Sequence, residues 1–484
     1  MKIANEKSRS RGYLVGLLGA TALVLAGCNG SEDSSVGVAD DTVTLPTMNS
    51  PATIATESAA DYNDNIHGLV TGDTLANWIT DWDANKPAGI DGKLVILQTS
   101  TGEAGSEYIA PNGVDVFTYE TSEFVETRSN GVIETRSMVP SGQTMDNFLS
   151  KYNIDPGKDM IVCAQGSAGG YSAMKAGRCW YMFRYWGVPA GRLAMLNGGN
   201  EWNDTNTALA FTTTASTPPM TGYASVKDLP QINFALQATL EDMLDAVPDS
   251  DTNVTDDGVF IWDARGNNLP ASLPGSSSDE YSPDGDSDFR NGGATQGHPN
   301  GALLLSYSNL LDSSEGYTFK SKADLAAYLD GETVDGAYFV DGTLQGIGVG
   351  NAYQSGDTIY TYCETTYRAM VTGFATAAIL GKPTRFYDGA MVEWHSMANA
   401  YDKNGDQLLP ADSPWRTDKN SVSMYRVAGD SANVDPRTIV DADANTAHQI
   451  IIDDLAYKGI IVETDSDDGG SSGGGGEIPN PCGG

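Results

Sequence analysis

One short stretch of the chain, Tyr360–Ala369, places a cysteine where a reactive thiolate could form. The residues before Cys363 are β-branched and aromatic, as in a strand, and those from Ala369 to Leu380 are typical of an apolar helix. Cys363 is therefore expected in a loop at a helix N-terminus, where backbone N–H groups stabilise anions and favour reactive cysteines. The alternative interpretation is a buried cysteine at a strand end, without chemistry. The other loop residues are Glu364, Thr365, Thr366, Tyr367 and Arg368.

Three further segments would position this loop. Upstream, Val259–Arg265 reads as a strand ending in Asp-x-Arg, and Gly297–Ala302 as a turn containing His-Pro; downstream, Phe386–Trp394 reads as a strand and a glycine turn. Four motifs in this order resemble the rhodanese-like sulfurtransferases, and the resemblance implies parallel sheets flanked by helices, with Cys363 as the nucleophile. It gives structural roles to Asp263, Arg265 and His298.

The resemblance also implies a reaction. In a double displacement, Cys363 would take a sulfane sulfur from thiosulfate, a persulfide or a polysulfide and pass it to a thiophilic acceptor. Arg368 would act with it as the loop's one cation, and Glu364 opposes that charge, which favours donors less charged than thiosulfate. The C-x4-R spacing is one residue shorter than the C-x5-R of cysteine phosphatases, whose wider ring of N–H groups binds phosphate. We therefore expect sulfur transfer rather than phosphatase activity, with the other loop residues lining the substrate site.

A related pattern occurs earlier in the chain and predicts a second module. Met160–Ser167 reads as a strand and loop, Arg178–Gly187 as a helix, and Leu193–Trp202 as a closing strand and turn. Both copies close with a glycine turn followed by Glu-Trp, which indicates an internal duplication. In this interpretation Cys163 occupies the loop position of Cys363.

The first copy departs from the family in several respects. Its first core strand, Lys93–Ser100, lacks Asp-x-Arg, and no His-Pro-Gly-Ala turn is recognisable. The stretch from Cys163 to Arg178 is also longer than an ordinary active-site loop. We therefore expect this copy to be inactive or divergent, while Cys163 remains a candidate second site.

The length of the chain, 484 residues, exceeds that of a single core and accommodates two modules with tails. The predicted fold class is α/β, with two rhodanese-like modules that each contain a parallel sheet flanked by helices. Leu69–Ile79 would contain the opening helix of the first module, and Phe234–Val247 that of the second. The predicted division is a signal peptide at 1–27, a flexible tether at 28–64, modules at 65–223 and 224–399, an extension at 400–462, and a disordered Gly/Ser/Asp-rich tail at 463–484.

The N-terminus has the features of an export signal. Basic residues precede the apolar run Tyr13–Leu25, which is too short to span a bilayer. The last residue of this run begins the segment Leu25–Cys28. The sequence Leu-Ala-Gly-Cys resembles a bacterial lipobox, which implies cleavage before Cys28 and lipid attachment to its sulfur. We expect a lipid-anchored protein of the cell envelope, in the outer membrane if the cell has one, because Asn29 rather than Asp follows the cysteine.

The charge of the chain limits its partners. Its 64 acidic and 28 basic residues give a net charge of −36, which excludes nucleic acid as a partner and disfavours docking on anionic lipid. The four histidines lack metal-ligand spacing, and no phosphate-binding glycine loop follows a strand, so we expect no cofactor. Alternating oxygen ligands at Asp284–Asp288 and Asp402–Asp406 leave calcium binding open, although neither cluster completes a calcium loop.

The two remaining cysteines are weaker candidates for a chemical role. Cys179 lies in a helical stretch and is expected to pack, while Cys482 in the tail could act as a resolving thiol or have no role. The cysteine spacings do not indicate a disulfide framework.

Two rival functions remain open at this stage. A binding or assembly lipoprotein with two catalytically silent modules would account for the divergent first copy and the acidic tails. A redox enzyme or oxyanion reductase that uses the same cysteine is the other possibility. A fold resemblance alone does not choose among them.

Overall fold

A computed structural model describes residues 43–46, 48–56, 68–129, 134–247, 258–266, 297–398 and 448–464. Cys28, Cys482 and both acidic clusters lie outside these ranges, so the lipidation, resolving-thiol and calcium interpretations remain expectations. Within the described ranges, no helix has both the length and the apolar character needed to cross a bilayer.

The strands are short, and their bounds are as follows. They are β1 Val43–Thr44, β2 Leu69–Val70, β3 Leu94–Gln98, β4 Tyr108–Ile109, β5 Val116–Glu120, β6 Glu126–Ser129, β7 Glu134–Met138, β8 Met160–Ala164, β9 Leu193–Leu196, β10 Phe211–Thr212, β11 Gln237–Ala238, β12 Val259–Asp263, β13 Leu303–Leu304, β14 Leu311–Asp312, β15 Thr318–Phe319, β16 Thr358–Tyr362, β17 Thr384–Tyr387 and β18 Glu463–Thr464.

Helices lie between the strands. The α-helices are α1 Pro51–Ala55, α2 Gly72–Thr80, α3 Trp82–Asn85, α4 Gly142–Tyr152, α5 Gly170–Tyr185, α6 Asn200–Asn206, α7 Leu240–Ala246, α8 Lys322–Leu329, α9 Ala369–Phe374, α10 Ala390–Ala398 and α11 Gln449–Tyr457. A π-helical turn, Ala375–Ile379, continues α9. Turns of 3₁₀ helix occur at Ala190–Arg192, Val226–Asp228, Phe234–Leu236, Tyr307–Leu310 and Ser313–Glu315.

Two five-stranded sheets form the framework, and all their strands run parallel. The first has the order β2-β9-β8-β3-β5 and the second β11-β17-β16-β12-β13. Counted in chain order within each sheet, both are 1-5-4-2-3, so the two modules share one topology. We call the module that contains the first sheet module 1 and the module that contains the second sheet module 2. The prediction of a two-module α/β fold with parallel sheets flanked by helices is confirmed.

Local sequence explains the central elements. The two central strands of module 1, β3 and β8, are buried at every position, as expected where helices cover both faces of a parallel sheet. Thr71 caps α2 by accepting the Thr74 N–H, which ends the strand before it and starts the predicted opening helix. In module 2 the predicted opening helix is shorter, since Phe234–Leu236 is a 3₁₀ turn and β11 precedes α7.

The modules pack against each other through α5 of module 1 and α9 of module 2. A Cβ at Gly177 would lie 2.8 Å from the Cβ of Met370, so glycine permits the two helices to approach closely. The Trp180 ring meets Phe374 edge-on at 5.2 Å, and Tyr181 meets Phe386 at 4.6 Å. One hydrophobic core therefore crosses the module boundary.

The chain on either side of the modules is partly ordered, contrary to the predicted tether and disordered tail. Helix α1 lies inside the predicted tether and buries Ile54 and Ala55. β1 pairs with β18, which lies at the start of the predicted tail. In the predicted extension, α11 packs on module 1, where Asp454 forms an ion pair with Arg128 at 2.8 Å. The reason is tertiary: few apolar residues suffice when a neighbouring surface buries them.

Candidate active site

Cys363 is the first residue after β16, and its loop leads into α9. It is the one free cysteine within the described ranges, and its side chain is 1% exposed. Ala264, Ala369 and Tyr307 pack around it. In an open parallel sheet, ligand sites lie at the carboxyl ends of the strands, and Cys363 occupies that edge.

The loop is held from behind by the segment that follows β17. The Thr366 hydroxyl donates to the Tyr387 and Asp388 carbonyls at 2.8 and 3.0 Å. Thr366 itself has a φ of 62°, a left-handed conformation that is unfavourable for a β-branched residue and must be supported by its surroundings. These bonds provide that support.

The start of α10 completes this support. The N–H groups of Met391 and Val392 donate to the carbonyls of Cys363 and Glu364 at 3.1 and 3.2 Å. Both loop carbonyls are thereby turned towards α10. The polypeptide from Tyr387 to Val392 thus holds the loop at two backbone carbonyls and at the Thr366 hydroxyl.

Two charged side chains belong to the loop. The Arg368 Nη2 lies 3.5 Å from the Glu364 Oε2, and the two side chains are 15% and 5% exposed. The cation identified in the sequence thus stands beside the loop's own carboxylate. Thr365 is also buried, whereas Tyr367 is half-buried.

Tyr307 is a site residue that sequence reasoning missed. Tyr307 packs against the cluster that contains Cys363. Burial raises the pKa of its phenol, Arg368 opposes this shift and Cys363 adds to it. The Tyr307 N–H donates to the Ala264 carbonyl at 3.2 Å, and this bond holds the residue beside the loop. It lies far from Cys363 along the chain and outside any motif, so no local signal would have identified it.

The Asp-x-Arg motif lies beneath the loop, with the geometry of a structural element. The Arg265 guanidinium forms a buried ion pair with Asp263 at 2.6 Å and donates to the Gly297 carbonyl at 2.6 Å. The Tyr362 hydroxyl donates to the Asp263 carboxylate at 2.8 Å. The motif thereby ties the end of β12 to the strand that delivers Cys363.

His298 belongs to the turn that Arg265 contacts. Its imidazole lies against Gly342, where an added Cβ would be 3.1 Å from the His298 Nε2. A glycine there gives the ring the room it needs.

The site lies next to the boundary between the two modules. A Cβ at Gly170 would lie 2.9 Å from the Tyr307 hydroxyl, and the Tyr171 ring is 6.2 Å from the Tyr367 ring. Tyr171 is 60% exposed. The N-terminus of α5 in module 1 therefore forms part of the wall around the Cys363 loop.

The interpretation of Cys163 as the equivalent of Cys363 is wrong. Cys163 lies inside β8 and forms a disulfide with Cys179 of α5, so it has no thiolate to offer. The expectation that Cys179 only packs is also wrong, because it is the partner of Cys163 in this disulfide. The strand and the following helix, which pack face to face, bring the two sulfurs together.

The sheet registers show which residue does correspond. Asp263 pairs with Tyr362 at the end of β16, and Gln98 pairs with Ala164 at the end of β8. The residue after Ala164 is Gln165, which therefore takes the position of Cys363. Cys163 corresponds instead to a buried threonine of β16, Thr361, whose hydroxyl lies 2.6 Å from that of Thr372 on α9.

The module 1 loop is short, and a side chain of α6 occupies one of its N–H groups. Because α5 begins at Gly170, the expectation of a distended loop is wrong. The Glu201 carboxylate accepts the N–H groups of Ala168 at 2.9 Å and Glu103 at 2.7 Å. A loop with glutamine in place of cysteine, and with a carboxylate on one of its N–H groups, cannot perform the chemistry expected of Cys363.

Comparisons with known proteins give a likeness of fold. No protein-family model matches the chain, and no curated protein matches it. Among solved structures it is similar to the Tum1 protein of Saccharomyces cerevisiae, at 15% identity and a TM-score of 0.45, over 68% of this chain and 95% of that one. It is also similar to SseA of Escherichia coli, described as a 3-mercaptopyruvate sulfotransferase with the "Rhodanese" fold, at 18% identity and a TM-score of 0.42, over 66% of this chain and 98% of that one. A third similar structure is that of YnjE, at 14% identity and a TM-score of 0.43, over 71% of this chain and 69% of that one.

Proposed function

We propose that the protein is a rhodanese-like sulfurtransferase that carries sulfur as a Cys363 persulfide. The observation that supports this most directly is the position of Cys363, which follows the central strand β16 and begins the loop that leads into α9. Backbone N–H groups converge at such a place and stabilise a thiolate or a terminal persulfide.

The reaction consists of two displacements on sulfur. The Cys363 thiolate attacks the sulfane sulfur of the donor; a new S–S bond forms as the donor's bond to that sulfur breaks, and the electron pair leaves with the remainder. An acceptor thiolate then attacks the outer sulfur, and Cys363 departs as a thiolate. No external oxidant or reductant is consumed, because one sulfur atom moves between nucleophiles.

The charges of the loop favour a particular donor class. Arg368 stands 3.5 Å from Glu364, and both are largely removed from solvent, so the guanidinium is partly neutralised within the loop. A dianion such as thiosulfate would need an unopposed cation, whereas a persulfide or polysulfide with less charge would not. We therefore propose persulfides or polysulfides as the better donors.

An alternative function is a binding or assembly protein that uses its modules as scaffold. The burial of Cys363, 1% exposed, favours this alternative, since a donor must reach the sulfur. A small donor would need to displace the side chains that cover the thiol.

Mass spectrometry after exposure to polysulfide, to thiosulfate or to no donor tests the proposal. We expect one added sulfur atom on the peptide that contains Cys363, more with polysulfide than with thiosulfate, and its transfer to cyanide or a thiol. Cys363→Ser should abolish both. The same samples should show negligible hydrolysis of an aryl phosphate.

A folded protein that never acquires sulfur at Cys363 would support the scaffold alternative. Phosphatase activity that depends on Cys363, without sulfur transfer, would overturn the assignment in favour of phosphate chemistry.

A further inference from the structure

A buried cation of module 1 lies behind the Cys363 loop. Arg178 of α5 has a fully buried side chain, and its Nη1 lies 2.6 Å from the Oδ1 of Asp388 in module 2. None of its three guanidinium nitrogens makes a hydrogen bond of good geometry within the described ranges. Removing two such charges from water is costly, so the pair is weak evidence for stability and calls for another role.

Asp388 belongs to the segment that supports the loop. Its backbone carbonyl accepts the Thr366 hydroxyl at 3.0 Å, and α10 begins two residues later with the N–H donors to the loop carbonyls. Its Oδ2 accepts the Val139 N–H of module 1 at 2.6 Å. Burial raises the pKa of Asp388, while Arg178 and the Val139 N–H oppose that shift. Module 1 therefore holds both oxygens of a carboxylate whose backbone holds the loop.

Arg178 also contacts the loop directly. Its guanidinium carbon lies 5.6 Å from the ring centroid of Tyr367 and 5.6 Å from that of Tyr181 on its own helix. A guanidinium at this distance from an aromatic face is attracted to it, and the attraction is greater where water is excluded. The cation thus restrains the loop at Tyr367 as well as through Asp388.

We propose that Arg178 is a positioning residue for Cys363, by which module 1 holds the sulfur-carrying loop of module 2 in its working shape. The proposal rests on the proposed function of that loop. Arg178 acts on the reaction through the loop, because its guanidinium is engaged by Asp388 and by the rings of Tyr367 and Tyr181. Its loss should therefore affect anionic and neutral donors equally, in kcat rather than KM, whereas a donor-binding cation would discriminate between them.

The test compares Arg178→Met with the double variant Arg178→Met/Asp388→Leu. The single variant leaves a buried carboxylate unpaired and is expected to unfold more easily, whereas the double variant removes both charges and should fold. The first measurement is site-resolved hydrogen exchange of residues 363–368, together with the rate at which iodoacetamide alkylates Cys363 as a function of pH. Both readouts are independent of any sulfur transfer. We expect loop exchange at least tenfold faster in the double variant and a shifted alkylation profile.

A matched control is Arg128→Met/Asp454→Leu, which removes an Arg–Asp pair with side chains 8% and 1% exposed on the α11 side of module 1. It should leave exchange in the loop unchanged. If the folded Arg178→Met/Asp388→Leu protein keeps wild-type exchange and alkylation, the positioning role is wrong.

The second part of the test measures kcat and KM. In the double variant, kcat should fall at least tenfold with both a neutral organic polysulfane and anionic thiosulfate, and KM should change less than twofold. A loss confined to thiosulfate would overturn positioning in favour of donor binding. If the wild-type protein transfers no sulfur, the proposed function fails, while the exchange and alkylation arm still decides whether Arg178 orders the loop.

Discussion

At the residue scale, the proposed donor preference depends on Glu364 and Arg368. They lie 3.5 Å apart with little exposure, so each moderates the charge of the other. At this separation, which is longer than that of a hydrogen-bonded ion pair, the two charges contribute about 1 kcal/mol, which corresponds to roughly a fivefold effect on a rate. The consequence is a donor preference rather than an all-or-none requirement.

Arg368→Ala should reduce sulfur transfer from thiosulfate about tenfold, but transfer from a neutral polysulfane only slightly, because an anion loses its fixed partner. Glu364→Gln should act in the opposite direction and improve thiosulfate as a donor by roughly fivefold. The measurement is kcat/KM for the two donors. Lys382→Ala, which removes a cation outside the loop, serves as the control. Equal losses with both donors in Arg368→Ala would contradict an electrostatic role.

At the scale of secondary-structure elements, a disulfide links β8 to α5. It joins cysteines 16 residues apart and ties the central strand of module 1 to the helix that carries Arg178. Disulfides persist in oxidising compartments, which agrees with the export signal expected at the N-terminus. The cross-link contributes to the stability of the module, whereas the proposed chemistry belongs to module 2.

Cys163→Ala/Cys179→Ala should lower the free energy of unfolding by about 3 kcal/mol, since the cross-link no longer restricts the unfolded chain. Denaturant unfolding with and without reductant measures this, and reductant should affect the wild type but not the variant. Sulfur transfer by the folded variant should remain close to that of the wild type. Loss of transfer equal to that of Cys363→Ser would mean that Cys163 takes part in the reaction.

At the scale of the whole molecule, α11 connects the two modules. Asp454 lies against Arg128 and accepts a hydrogen bond from Tyr185 at 2.8 Å, both in module 1. His448, just before the helix, lies 2.8 Å from Glu241 on α7 of module 2. The C-terminal helix thus contacts both halves and contains buried groups that titrate.

Stability should fall as the pH rises from about 4 to about 6. Burial raises the pKa of Asp454 to about 6, against the opposing effect of Arg128. In that window the folded protein keeps a proton that the unfolded chain has released, so folding becomes less favourable by up to about 3 kcal/mol. The measurement is the free energy of unfolding at several pH values, and Asp454→Asn should flatten the curve. An unchanged slope in that variant would contradict the assignment.

His448 acts in the same direction at higher pH. Burial lowers its pKa, but the interactions with Glu241 and Asp242 together outweigh burial, and the pKa is raised overall. Its stabilising contribution is present below the unfolded value and is lost as the pH rises through the folded one. The Asp454→Asn comparison is therefore needed to separate the two groups.

Location is a property of the whole chain, and we propose that it depends on Cys28, which lies outside the described residues. Cys28→Ser should leave an unprocessed or soluble exported protein, because the lipobox cysteine is the proposed anchor. Membrane fractionation and the mass of the N-terminal peptide provide the measurement. A variant that is processed and partitions with the membrane like the wild type would show that the lipoprotein interpretation is wrong.

Short-range patterns were sufficient for much of the framework. Apolar runs of strand length predicted β12, β16 and β8, and the motif from Cys363 to Arg368 predicted a loop before a helix. These features depend on a few consecutive residues, so the sequence expresses them directly. The two-module division followed from the recurrence of the same elements along the chain.

Tertiary structure decided everything that depends on residues far apart in the chain. Matching cysteines by type aligned Cys163 with Cys363, whereas the hydrogen-bond registers of the sheets align Gln165 with it. Tyr307 and Arg178 reach the loop through packing between elements, and Cys179 meets Cys163 because a helix lies on its strand. Such contacts are determined by register and by which surfaces bury each other, and no local pattern in a single sequence records either.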